Sequence, residues 1–287
     1  MNAIVNFNKS AFFELLMSAV EAYTIKHKES QVIAVETYAH LWGKINKKLP
    51  LTCYVNHVSI ETSAIRSRDS VITYTKSLEI KKEIADMFGE DYSYIGSMHT
   101  HPYVNGESIG GKSITSPECI RRNRLFHLSE TDHKSEFGMF FDVGKNKFSF
   151  AAVMTLFSAK RATDRKDSYT CNDGTMERWN DGTMERWNDG TIELSIGNLK
   201  VWMFVQAFQH IEKRCLSDQQ LKEAIKFNLD LSRYNDDDLI PVPIATECNG
   251  SDIMNWVLFK PFGRINIEDN SSEYIDKAIS EKRTIYF

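Results

Sequence analysis

Two histidines separated by one residue, His99-Thr100-His101, follow a predicted strand from Tyr92 to Met98 and are followed by Pro102. Residues two apart on a strand point to the same face, so both imidazoles can reach one metal ion while Pro102 ends the strand. A His-x-His pair alone serves equally well as a satisfied structural pair, and its company decides. Downstream, Ser129-Glu-Thr-Asp132 supplies a hard carboxylate ligand and a hydroxyl. A catalytic zinc takes three protein ligands and keeps one position open. Upstream, Glu36 sits at the edge of the apolar stretch Val32-Ile-Ala-Val35. A carboxylate is costly in such a place unless it has a partner, and an attacking water that it deprotonates gives it one. The chemistry this points to is metal-assisted hydrolysis, with zinc held by His99, His101 and Asp132 and with Glu36 as general base.

The elements that must hold these residues apart or together follow from periodicity. Asn8 or Ser10 caps a helix whose apolar stripe is Phe12, Leu15, Leu16, Ala19, Val20 and Tyr23. Val32–Val35 and Thr52–Ile60 read as strands, and Thr75–Phe88 as a helix with Leu78, Ile80, Ile84 and Met87 inward and Gly89 as its cap. The strand Tyr92–Met98 delivers His99. Phe137–Asp142 and Lys147–Phe157 form an antiparallel hairpin about the turn Val143–Asn146. Leu199–Cys215 and Asp218–Leu231 read as helices, Pro241 and Pro243 as a connection, and Ser272–Lys282 as a last short helix.

At 287 residues the chain is expected to hold a core at 1–157, interrupted by an insertion at 103–128, then a polar loop at 158–190 and a C-terminal extension at 191–287 whose role no motif reveals. The polar loop contains a perfect tandem repeat, Asn172–Trp179 and Asn180–Trp187, read as a duplicated surface hairpin. A net charge of −4 and a pI near 6.1 leave no basic face for nucleic acid. No window has the length of a membrane span. Five widely spaced cysteines without a Cys-x-x-Cys fit reduced thiols, and the protein is expected in the cytoplasm.

Taken together, Glu36 with Gly43 seven residues on, His99-Thr-His101-Pro102 and Ser129-x-x-Asp132 resemble the JAMM, or MPN-plus, family of zinc metalloproteases. The resemblance covers roughly residues 11–157. It implies an α/β, cytidine-deaminase-like fold with a central mixed sheet flanked by helices, and one zinc per chain on His99, His101 and Asp132. It also implies that Glu36 takes the proton from the attacking water and that Ser129 hydrogen-bonds the developing oxyanion. The substrate class implied is the C-terminal amide or isopeptide bond of a ubiquitin-like or sulfur-carrier protein, a deubiquitinase-like reaction within a conjugation pathway.

One departure opens an alternative. Twenty-six residues, Tyr103–Leu128, separate Pro102 from Ser129 where the family has about seven, and Ser116-Pro-Glu-Cys119 within them offers Cys119 as another third ligand. Asp132 is preferred because Ser-x-x-Asp is the family's own pattern. Two other classes remain. Gly106–Ser113 matches a phosphate-binding P-loop literally, although Ser116-Pro117 follows too closely for a helix starting at Lys112-Ser113; the bland reading is a flap over the zinc cleft. The other is a scaffold of the same fold that binds partners and no metal.

Overall fold

The computed structural model describes residues 2–25, 34–48, 50–135, 139–162, 170–171, 184–186, 191–196, 199–226, 230–249 and 265–266. In chain order the elements are β1 (Asn2–Phe7), α1 (Lys9–Thr24), β2 (Tyr38–Asn46), β3 (Leu51–Ile60), β4 (Ile65–Arg66), β5 (Val71–Ile72), α2 (Thr75–Phe88), β6 (Ser93–Asn105), β7 (Glu107–Ile109), β8 (Lys112–Ile114), α3 (Pro117–Arg122) and α4 (Glu130–Ser135). They continue with β9 (Phe141–Val143), β10 (Asn146–Ala162), β11 (Thr170–Cys171), β12 (Met184–Arg186), β13 (Ile192–Ile196), β14 (Leu199–Glu212), α5 (Asp218–Lys226), β15 (Leu239–Asn249) and β16 (Ile265–Asn266).

The fold is mixed α/β, with strands predominating. Ten strands form one sheet in the order β12-β13-β14-β15-β1-β3-β2-β6-β10-β9, and a further pairing of β14 with β10 closes seven of them into a barrel. Closure is possible because β14 and β10 each carry two partners along one edge. Leu199–Met203 pairs with β13 and Ala207–Glu212 with β15, while β10 borders β14 along its other edge from Leu199 to His210. A closed sheet leaves few unpaired edge groups.

Helix α1 starts where expected: the Asn8 side chain accepts from the Ala11 amide at 2.8 Å, satisfying one of the orphan amides of the first turn. It buries Phe12, Leu15, Ala19 and Tyr23 against the sheet. Burial of each large side chain contributes roughly 1.5–3 kcal/mol. The Tyr23 hydroxyl donates to the Tyr103 carbonyl at 2.9 Å and accepts from the Ser158 amide at 2.8 Å, which pins α1 to β6 and β10 just beyond His101.

Several expectations are corrected. No strand lies at Ala34–Val35: the strand starts at Tyr38, with Glu36 two residues before it, and residues 31–33 fall outside the described set. Helix α2 does not bury its apolar stripe; Ile80, Ile84, Met87 and Phe88 are exposed. Its polar side is captured instead. The buried Glu61 carboxylate accepts from Ser77 Oγ (2.6 Å) and Lys81 Nζ (2.9 Å), and Lys82 Nζ stands 4.6 Å above the Tyr94 ring. A buried carboxylate that needs donors outranks an apolar face that can tolerate water.

Strand β6 continues past Pro102 to Asn105. The amide of Thr100 points to β2, donating to the Thr37 carbonyl at 3.1 Å, so by alternation the missing N–H of Pro102 faces the region beyond the end of β2, where no ladder bond is lost. Leu199–Glu212 is strand β14 and not a helix. Val201, Trp202, Met203, Phe204 and Val205 are all buried, and a strand covered on both faces shows continuous apolarity without alternation. Pro241 and Pro243 lie within β15, ahead of Ala245 where its pairing to β1 begins. The residues read as a C-terminal extension thus contribute β13, β14 and β15 to the central sheet.

The hairpin β9–β10 turns at Gly144 (φ +63°) as expected. Of the tandem repeat only Met184–Arg186 is described, and the helix expected at Ser272–Lys282 lies outside the described residues. Among the described residues no helix is long and apolar enough to cross a membrane.

Candidate metal centre

The site is assembled on β6, with contributions from the approach to β2 and from α4. β2 and β6 pair antiparallel with Tyr38 opposite His99. Continuing that register by two residues sets Glu36 opposite His101, on the sheet face that carries both histidines. Thr37 and Thr100 lock it: the Thr37 amide donates to Thr100 Oγ1 at 2.9 Å, and the Glu36 amide donates to the Ser67 carbonyl at 2.8 Å. Gly43 and Gly96 permit the close strand approach behind the site. An added Cβ at Gly43 would strike the Tyr54 carbonyl, and one at Gly96 the Phe150 carbonyl.

His99 Nε2 and His101 Nε2 lie 3.1 Å apart, and Asp132 brings Oδ1 to 3.1 Å from the former and Oδ2 to 3.3 Å from the latter. A tetrahedral zinc with bonds of about 2.0–2.1 Å sets its ligand atoms about 3.3–3.4 Å apart, so two nitrogens and a carboxylate at these separations fit that ion. All three side chains are largely withdrawn from solvent. Burial alone would raise the Asp132 carboxyl, but hydrogen bonds to His101 and His99 hold it well below the usual carboxylate range. It is therefore ready to ligate at neutral pH.

Asp132 is delivered by its own motif. The Ser129 amide donates to Asp132 Oδ2 at 2.6 Å while Ser129 Oγ accepts from the Asp132 amide at 3.3 Å, a reciprocal cap that starts α4. The hydroxyl proton of Ser129 remains free for donation to another oxygen.

No protein-family model and no curated protein matches the chain. The chemistry therefore rests on the residues themselves.

Glu36 is buried, and burial pushes its carboxyl up to about 8, with the charge of His101 acting the other way and those of Asp132 and Asp69 adding to the rise. A carboxylate in this range accepts a proton near neutrality. Cys119 is not part of the cluster; its thiol contacts Ser116 Oγ at 3.6 Å and Thr115 Oγ1 at 3.8 Å, and bonding to Thr115 and Ser116 lowers it to about 7. His133 packs edge-on to Phe208 and His127 stacks on Phe204, so the two histidines beside the Ser-x-x-Asp motif are packing residues. Gly106–Ser113, the P-loop match, is the hairpin β7–β8, in which Glu107 is buried and accepts from the Val104 amide at 3.0 Å. Helix α3 begins only at Pro117, so no helix N-terminus meets Lys112-Ser113.

Sequence reading did not find the group that orients His101. The Leu125 carbonyl lies 3.3 Å from His101 Nδ1, and Thr155 Oγ1 donates to the same carbonyl at 3.5 Å. A backbone carbonyl carries no side-chain signature, which is why only the structure reveals it.

Proposed function

We propose that this chain is a zinc-dependent peptidase or isopeptidase of the JAMM type, acting on the C-terminal amide or isopeptide bond of a ubiquitin-like protein. The observation that carries the reading is the meeting of His99, His101 and Asp132 at 3.1–3.3 Å beside a buried Glu36. When bound on these three residues, zinc supplies Lewis acidity that lowers the pKa of water and polarises a carbonyl. Glu36 takes the proton from the attacking water and passes it to the leaving amine, roles that need a base poised near the working pH. Ser129, exposed at the start of α4, donates its hydroxyl hydrogen to the developing oxyanion. The hairpin β7–β8 follows directly from the strand that bears both histidines. The cytidine-deaminase-like arrangement and the ubiquitin-like substrate come from the resemblance of the motifs, and cytoplasmic location from cysteine usage.

The test is cleavage of a linear fusion in which a ubiquitin-like protein precedes a reporter, with zinc supplied and with Glu36→Gln as control. Turnover by the wild type and none by the variant supports the reading. Zinc binding without turnover on any such fusion moves the assignment to another amide substrate, and no zinc binding leaves the partner-binding scaffold.

A further inference from the structure

The insertion and the C-terminal strands meet at one buried carboxylate. Glu193 on β13 is almost wholly buried, accepts from Arg121 Nε and from Trp202 Nε1 at 2.9 Å each, and takes a second Arg121 contact through Nη2. Arg121 lies in the last turn of α3, and the chain then turns sharply at Arg124, a non-glycine residue at φ +52°. The turn is held by the Leu125 amide donating to the Ile120 carbonyl at 3.0 Å. Such a conformation persists only where its surroundings impose it. Beyond the turn, Phe126 and Leu128 are buried in one cluster with Trp202, Phe204 and Phe208 of β14, and the His127 ring stacks on Phe204 at 4.1 Å.

The consequence of this turn is the placement of the Leu125 carbonyl 3.3 Å from His101 Nδ1. An imidazole that ligates through Nε2 keeps its proton on Nδ1, and the acceptor of that proton fixes both tautomer and ring orientation. Resting on the metal-centre reading above, we propose that Glu193 is a positioning residue for the metal ligand His101, acting through Arg121 and the Leu125 carbonyl. The C-terminal strands are then a working part of the metal centre, and the insertion is the arm through which they act. The Arg121 side chain is a third exposed, and with it removed the Trp202 bond keeps Glu193 partly satisfied.

Cobalt(II) is the probe, because its visible absorption reports ligand geometry independently of turnover. On the full chain, wild type, Arg121→Ala, Arg121→Lys and Glu193→Gln are titrated with cobalt and then with zinc in competition. Arg121→Ala is expected to weaken metal binding by about 10- to 100-fold, the usual effect of removing outer-shell support, and to alter the cobalt spectrum. Arg121→Lys should recover part of both, and Glu193→Gln, which keeps the Trp202 bond but loses the charge, should fall between. Wild-type affinity and spectrum in folded Arg121→Ala and Glu193→Gln would overturn the positioning role and leave the metal centre standing. A wild type that binds no cobalt would overturn the metal centre itself, and with it this proposal.

Discussion

Glu36 ties the proposed chemistry to a measurable thermodynamic cost. Its carboxyl is raised from 4.5 to about 8 by burial, with Asp132 and Asp69 adding to the rise and His101 opposing it. Between those two values the metal-free folded state holds a proton that the unfolded chain has released. The Glu36 contribution to stability must therefore fall as pH rises through this window, by about 1.4 kcal/mol per pH unit. Over the whole window the loss amounts to roughly 4–5 kcal/mol, a large share of the ~5–15 kcal/mol that holds a domain together. Glu36→Gln removes the titration while keeping shape. Urea unfolding of both proteins under chelator at pH 5, 6, 7 and 8 should show the variant gaining on the wild type by about 1.4 kcal/mol per unit and the gap levelling above pH 8. Saturating zinc should shrink the gap, because a nearby cation favours the charged carboxylate. A gap that stays constant with pH under chelator would refute the buried, uncompensated carboxylate on which the general-base role depends.

Other consequences are simpler to state. Asp132→Ala should lose metal while Cys119→Ala keeps it, measured by elemental analysis; the reverse result moves the third ligand into the insertion. Gly43→Ala and Gly96→Ala should each destabilise the protein by more than about 3 kcal/mol in denaturant melts, since a backbone carbonyl occupies the space of the added Cβ. Burial lowers His40, His133 and His210 to about 4, aided at His40 by Lys81 and at His210 by Lys147. The unfolded chain binds those protons first, so the contribution of these three histidines to stability should fall as pH drops from 6.5 toward 4, and His210→Gln should remove its share of that fall, read as the wild-type minus variant difference in melts across the range.

How much of this was legible in the sequence depends on what carries each feature. That His99 and His101 share one face was readable because strand alternation is a local rule; Ser129 and Asp132 were proposed from a carboxylate, a hydroxyl and the resemblance of Ser-x-x-Asp, and the structure brings His99, His101 and Asp132 into one cluster. α1 was readable from a cap and a stripe. β14 was not, because a strand buried on both faces has an apolar run that periodicity cannot tell from a helix, and its neighbours β10 and β15 are remote in sequence. α2 was found as a helix but turned the wrong way round, because nothing local announces that Glu61, fourteen residues before it, is buried and recruits Ser77 and Lys81. The Leu125 carbonyl and the Arg121–Glu193 clamp depend wholly on tertiary placement.

Whether His99, His101 and Asp132 hold one zinc is decided by elemental analysis of the purified full chain beside the His99→Ala/His101→Ala double variant. About one zinc per wild-type chain and none in the variant is expected; metal absent from the wild type after zinc reconstitution, or retained in the variant, overturns the zinc site.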